Sequence, residues 1–355
     1  MMNNGYNTVV GDHLLISHFI RYERLSELIN TEFYNSGYNE VNICIDMVSM
    51  IKSIYKLSPS IFIDRYSIAS AVINACAHYR NFFWTRYKVT CKIWIVYSEL
   101  QLSTLEARQF VPSYGNMFTN EKNPEMDALI SENINILSTL VPYINDVTFI
   151  KSQFEPGLVF GKVALNCNGA IPTFIMSKDP WCLQVVGNVP NTYIFRSIKR
   201  DGNDLSVLIS KNNLIQYYCS IRKNNSDVSR LDASLLSFIF AASRFPERNI
   251  KSLCNLSTII KYLTKAIETK FISTDKVIYD IMGLCEDLNK INKANLNSFE
   301  INLRMQAIGF NQCMYRYMSN PYSDDINIIN LHDPDSVKLI NEKYFSKVPL
   351  DLMAL

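Results

Sequence analysis

The sequence predicts an α/β fold: a central parallel sheet of about five strands with helices on both faces. Three observations carry that expectation. Short apolar runs at residues 42–46, 89–98, 147–150, 173–176 and 191–198 alternate with segments of helical period. The strands alternate with helices, as parallel neighbours joined by crossovers do. Asp46 ends the first run and Asp179 follows the fourth closely, at strand carboxyl ends, where the ligand sites of open α/β sheets lie.

Taken in order, Leu14 to Tyr34 places Leu15, Phe19, Leu25, Leu28 and Ile29 at helical spacing, predicting an amphipathic helix ahead of the sheet. Its apolar face needs cover from the sheet edge or from a partner. Asn42 to Ile51 reads as a strand that ends in an acid and opens a helix. Ile68 to Lys88 reads as a helix leading into the strand Val89 to Ser98. Residues 99–133 carry Arg108 and Lys122 against Glu99, Glu106, Glu121, Glu125, Asp127 and Glu132, with Pro112 to Asn123 read as a solvated loop. A helix is expected over Ile134–Ile144 and another over Val159–Leu165. From about residue 205 the chain is read as mostly helical. Ser252–Lys270, Asp275–Asn289 and Ser298–Met318 are the strongest segments, and Asp333–Leu355 is a further helix with an extended tail. The expected division is an N-terminal helical extension over 1–39, an α/β core over 40–204 and a helical C-terminal region over 205–355.

Composition narrows the function. The 355 residues are 48% hydrophobic and 19% charged, ordinary for a globular protein. A net charge of +2 excludes a strongly basic nucleic-acid binder and leaves room only for a local patch. Nine cysteines, Cys44, Cys76, Cys91, Cys167, Cys182, Cys219, Cys254, Cys285 and Cys313, form no Cys-x-x-Cys pair, so reduced thiols in a cytosol-like compartment are expected. His13, His18, His78 and His332 lack metal-ligand spacing. No apolar run reaches the roughly 18–20 residues needed to span a bilayer, and Met1 to Thr8 carries no basic leader. The expectation is a soluble protein without membrane contact.

The motifs that carry chemistry lie at the strand ends. Phe154-Glu155-Pro156-Gly157-Leu158-Val159-Phe160-Gly161-Lys162-Val163-Ala164 opens a helix, and Phe174-Ile175-Met176-Ser177-Lys178-Asp179-Pro180-Trp181-Cys182-Leu183-Gln184-Val185 forms a strand and turn. With Asn42-Ile43-Cys44-Ile45-Asp46-Met47-Val48-Ser49-Met50-Ile51 upstream, these segments resemble the flap endonucleases and the phage and bacterial 5′–3′ exonucleases, within the wider PIN-like group. The likeness runs over about residues 40–265, and it implies a PIN-like fold. The family's first strand ends in a metal carboxylate, matched by Asp46. Its "Phe/Tyr-Glu-Ala-Asp-Asp" is matched by Glu155 alone, because Pro156, Gly157 and Leu158 follow. Its "Ser-x-Asp-x-Asp" keeps Asp179 but has Trp181 in place of the second acid. Ser98 stands where the second strand ends in Asp, and Ser49 where Asn is usual.

The resemblance therefore implies a depleted site. Two-metal phosphodiester cleavage needs carboxylates holding two ions roughly 3.5–4 Å apart, and the vestigial catalytic set is Asp46, Glu155 and Asp179. No metal is expected, with Mg²⁺ the cofactor only if those three acids still form an active 5′ nuclease. The helical arch of the family falls on residues 99–133, whose acidic balance is wrong for threading DNA. Asn249-Ile250 echo the start of the helix–hairpin–helix, but Leu253-Cys254-Asn255-Leu256 replaces its glycine turn.

Three readings stay open. The first is an inactive nuclease-like protein serving as a structural or nucleic-acid-positioning subunit of a viral replication, transcription or virion assembly, in the host cytoplasm or the virion. The viral expectation rests on a composition rich in Asn, Ile, Lys and Tyr and on the phage-like motifs. The second is the active, metal-dependent nuclease. The third is a scaffold that touches only protein. A nucleic-acid surface, if present, is expected at Lys52, Arg80, Arg86 and Lys88, beside the vestigial site, with weak binding through phosphates. In that stretch the aromatics are read as facing inward. The tail residues Leu350, Asp351, Leu352 and Met353 resemble the short peptides that dock on bacterial sliding clamps, which implies a partner contact; the other reading is a tail packed against its own domain.

Overall fold

The computed structural model describes residues 37–51, 67–98, 124–141, 144–152, 156–166, 169–200, 203–243, 253–268 and 288. Six strands, β1 (Glu40–Asp46), β2 (Thr90–Ser98), β3 (Val147–Ser152), β4 (Thr173–Met176), β5 (Thr192–Arg200) and β6 (Asn203–Ile209), form one sheet in the order β3-β2-β1-β4-β5-β6. The first five are parallel, and β6 returns antiparallel to β5. The parallel α/β sheet expected from the sequence is present, with one added edge strand.

The strand sequences explain why both faces are covered. Val41, Ile43 and Ile45 of β1, Ile93 and Ile95 of β2, and Phe174 and Met176 of β4 enter one buried cluster. Cys44, Val96 and Ile175, from the alternate positions, enter the other. A period-2 strand that is apolar on both sides can only sit inside a sheet sandwiched by helices. On the first face lie α1 (Ser67–Tyr87) and α2 (Pro124–Leu140). The second face is covered by α3 (Pro156–Asn166), α4 (Leu183–Asn188), α5 (Leu214–Ile221), α6 (Leu236–Ala242) and α7 (Leu256–Glu268).

Two helices begin earlier than their apolar period suggests. α2 opens at Pro124, ten positions before Ile134, and α3 at Pro156, three before Val159. Proline at a first helical position loses no hydrogen bond and presets φ, so each helix opens at its proline. Buried Asn133 then joins α2 to α1: its Oδ1 accepts the Ala69 N–H at 2.9 Å, a first-turn donor with no intrahelical partner. On the other face, α4 packs against the turn at Ala233 through Gly187, where an added Cβ would lie 2.8 Å from the Ala233 carbonyl oxygen.

β6 is a strand that the mostly helical reading from about 205 did not include; α5, α6 and α7 follow it. Arg200 pairs with Asn203, and the sequence between them is Asp-Gly, a pair suited to tight hairpins. Leu205, Val207 and Ile209 alternate with Asp204 and Ser206, the period of a strand. The six described cysteines are buried, and desolvation pushes the Cys76 thiol up to about 12, as for small buried hydrophobes. Among the described residues no helix is long and apolar enough to cross a membrane. The expected helices at 14–34, 298–318 and 333–355, that at 275–289 apart from Leu288, and the loop 112–123 lie outside the described residues.

Candidate functional site

Strand order reverses at β1. The chain proceeds from β1 to β2 and β3 on one side, then crosses to β4, β5 and β6 on the other. The carboxyl ends of β1 and β4 thus lie side by side at the switch point, Ile45 in register with Met176. Asp46 ends β1, and Ser177 and Asp179 follow β4.

Asp46 is 4% exposed and accepts three hydrogen bonds. Its Oδ1 takes the Ser49 backbone N–H at 3.1 Å, which caps the helical turn over 47–51. Its Oδ2 takes the Ser49 hydroxyl at 2.5 Å and the Ser177 hydroxyl at 2.7 Å. Ser177 Oγ in turn accepts the Asp179 N–H at 3.1 Å. Burial pushes the Asp46 carboxyl above its ordinary value. The bonds from Ser49 and Ser177 oppose the shift, and the negative charge of Asp179 adds to it.

Among the described residues, the ends of β2 and β3 add hydroxyl groups to this edge. Ser98 ends β2 in register with Ser152, the last residue of β3, and Ser152 is buried. The described carboxyl ends of β1 to β4 therefore carry Asp46, Ser98, Ser152 and, just past β4, Ser177. A pair of divalent ions fits this donor set poorly. Mg²⁺ prefers hard, preferably charged oxygen ligands, yet Asp46 has committed three of its acceptor positions to protein donors, and among the described residues no three His, Cys, Asp or Glu side chains are grouped to hold an ion. What the arrangement does is tie the ends of β1 and β4 together.

Among the residues expected from sequence, Asp46 and Asp179 share this edge, close enough for the charge of one to act on the other. Glu155 lies outside the described residues, and so do Lys52 and the tail Leu350, Asp351, Leu352 and Met353. Pro156 is buried at the start of α3; the side chains of Leu158 and Trp181 are outside the description.

The expected placement of the basic cluster beside Asp46 is corrected. α1 brings the chain back from the carboxyl edge, so its last turns lie at the amino edge, where Thr90 opens β2 and its N–H bonds the Asn39 carbonyl. Arg80 lies 3.7 Å from Asp146, the residue before β3, and Lys88 closes α1 two positions ahead of Thr90. The side chain of Arg86 is not described. Both placed cations thus lie toward the amino edge of the sheet, opposite the end that carries Asp46. The inward reading of the aromatics also fails at one position: Phe82 and Phe83 are buried, but Trp84 is 57% exposed.

Sequence reasoning gave Ser177 its place in the motif but not its bond to Asp46, and it underrated Ser49. The second was legible, because Asp46-x-x-Ser49 has N-cap spacing. The first was not, since only the β1–β4 register brings together residues 131 positions apart.

No protein-family model matches the chain, and no curated protein matches it. Solved structures do. A crystal structure of the bacteriophage T5 D15 protein, co-crystallised with metal ions, superposes with a TM-score of 0.50 at 10% identity, over 86% of this chain and 99% of that one. The bacteriophage T5 D15 flap endonuclease, in a complex of a variant with DNA product and metal ions, gives 0.49 at 10% identity over 88% and 98%. At such identity the first of these speaks to fold alone. Strand order, helical layers and this superposition together show that the chain has the α/β architecture of the flap endonuclease, PIN-like fold.

Proposed function

We propose that this chain is a nuclease-fold protein without phosphodiesterase activity, acting as a nucleic-acid-positioning subunit of a larger assembly. The observation that carries this reading is the state of Asp46: buried, and bonded through both oxygens to Ser49 and Ser177. A carboxylate used in this way is a strand-end clamp. Serine at the end of β2, where the related motif has an acid, supports the same reading. The assembly is proposed to be viral and to reside in the host cytoplasm or the virion, with the tail Leu350 to Met353 as a protein contact.

A second reading, an Mg²⁺-dependent 5′ nuclease using Asp46, Glu155 and Asp179, is favoured by one observation: the charge of Asp179 reaches the Asp46 carboxyl. One assay separates the two. Full-length protein is incubated with flap, nicked and single-stranded substrates in Mg²⁺ or Mn²⁺, beside the Asp46→Asn variant. Loss of one transition-state-stabilising group commonly costs about 10²–10³ in rate, so a site short of several should cleave nothing above background. Metal-dependent cleavage that disappears in Asp46→Asn would establish the nuclease.

A further inference from the structure

At the opposite edge of the sheet, the last turn of α1 presents Trp84 to solvent. Successive helical residues turn through about 100°, so burial of Phe82 and Phe83 under the sheet carries Trp84 outward. Lys88 ends the helix. Its backbone N–H donates to the Trp84 carbonyl at 3.0 Å, its φ is +58°, and its ammonium lies 5.7 Å from the centre of the indole. That left-handed conformation suits glycine, which ends helices there without the strain a β-carbon brings. The chain holds a lysine in it, and the lysine sets a cation over an exposed ring.

The surroundings are polar. Asn81 and Thr85 of the same helix and Thr90 at the start of β2 are exposed. Lys92 is engaged by Glu40 at 2.9 Å and Arg80 by Asp146, which leaves Lys88 to supply the charge among the described side chains of this edge. The other large apolar side chain exposed among the described residues is Ile221, at the end of α5 on the far face of the sheet. A lone indole among polar groups falls far short of the apolar area of a protein interface.

We propose that this surface binds single-stranded nucleic acid, an unpaired base stacking on Trp84 while the adjoining phosphate pairs with Lys88. The inference rests on the positioning role given above and supplies its ligand and its location. Duplex bases cover one another's faces, so an isolated indole platform takes an unpaired base. No base-edge readout is built here, and binding is sequence-tolerant.

The test titrates full-length protein with one labelled oligonucleotide as single-stranded DNA, as RNA and as duplex, by fluorescence anisotropy at about 50 and 200 mM salt. Single strands should bind tighter than duplex, and the DNA and RNA arms report which sugar is preferred. Trp84→Ala should weaken binding roughly tenfold or more, and Trp84→Phe should keep most of it. Lys88→Gly should also weaken binding and lower the salt slope by about one charge. Because glycine relieves the left-handed strain, that variant should melt no lower than wild type, which separates lost contact from lost fold. Equal affinity for duplex, binding untouched by Trp84→Ala and Lys88→Gly, or a change of oligomeric state in Trp84→Ala would each overturn the proposal. The cleavage assay stands apart from all of these: a silent edge at Asp46 survives failure at Trp84, and cleavage there leaves the Trp84 result unchanged.

Discussion

The Ser177 hydroxyl donates to Asp46 Oδ2 at 2.7 Å and so joins the end of β1 to the loop after β4. The carboxylate is thereby part of the sheet's framework, and each prediction below follows from that bond or from the scaffold around it.

Removing either member of this pair should cost stability. Asp46→Ala strips a helix cap and leaves two serine hydroxyls short of an acceptor, an expected loss of about 1–3 kcal/mol. Ser177→Ala takes one of three donors from a buried carboxylate and should cost a similar amount. Urea melts of both single variants and the double variant should give a coupling of roughly 0.5–3 kcal/mol. Millimolar Mg²⁺ should leave all these values unchanged. Additive losses, or a wild-type Tm that Mg²⁺ raises and Asp46→Ala does not share, would return Asp46 to the role of metal ligand.

The pH dependence has a definite sign. Burial raises the Asp46 carboxyl above its ordinary 3.8, so the folded state holds this proton more tightly than the unfolded chain does. Its contribution is fully present below 3.8 and is lost as pH rises through the higher folded value. Asp46→Asn cannot titrate. Its stability relative to wild type should therefore improve as pH rises from below 3.8 through that window, then level off. Denaturant melts across the acid range read this difference, and the other carboxylates cancel in it. A difference that moves the other way would mean that the hydrogen bonds outweigh burial.

Asn133 gives a test of the layer beneath the site. It is fully buried, its Oδ1 accepts the Ala69 N–H, and its Nδ2 donates to the Leu129 carbonyl at 2.9 Å. Asn133→Leu keeps the branching of the side chain and leaves the first turn of α1 with an unpaired buried donor, at a cost of about 1–3 kcal/mol. Thermal or urea melts measure it. A neutral effect would show that water replaces the side chain.

Much of the scaffold is local and was legible. β1, β2 and β4 are apolar at alternate positions on one face and place Cys44, Val96 and Ile175 on the other, a pattern that predicts a covered parallel sheet. The acid ending β1 and the cap spacing from Asp46 to Ser49 are also properties of neighbouring residues. The helix starts at Pro124 and Pro156 are set by the backbone preference of proline for a first helical position and not by an apolar period. β6 carries Leu205, Val207 and Ile209 at every second position, a strand signal that the sequence reading passed over.

By itself, then, the sequence determined the layers of this protein and the identities of the groups at its strand ends, since hydrophobic period and capping act within a few residues. Tertiary structure decided how those groups are used. Register between β1 and β4 turned Ser177 into a partner of Asp46. The return path of α1 carried Arg80 and Lys88 to the opposite edge of the sheet. Helical phase against the buried Phe82 and Phe83 put Trp84 in solvent. A side chain's partner and exposure depend on which surface folds over it, and that surface comes from residues far away along the chain.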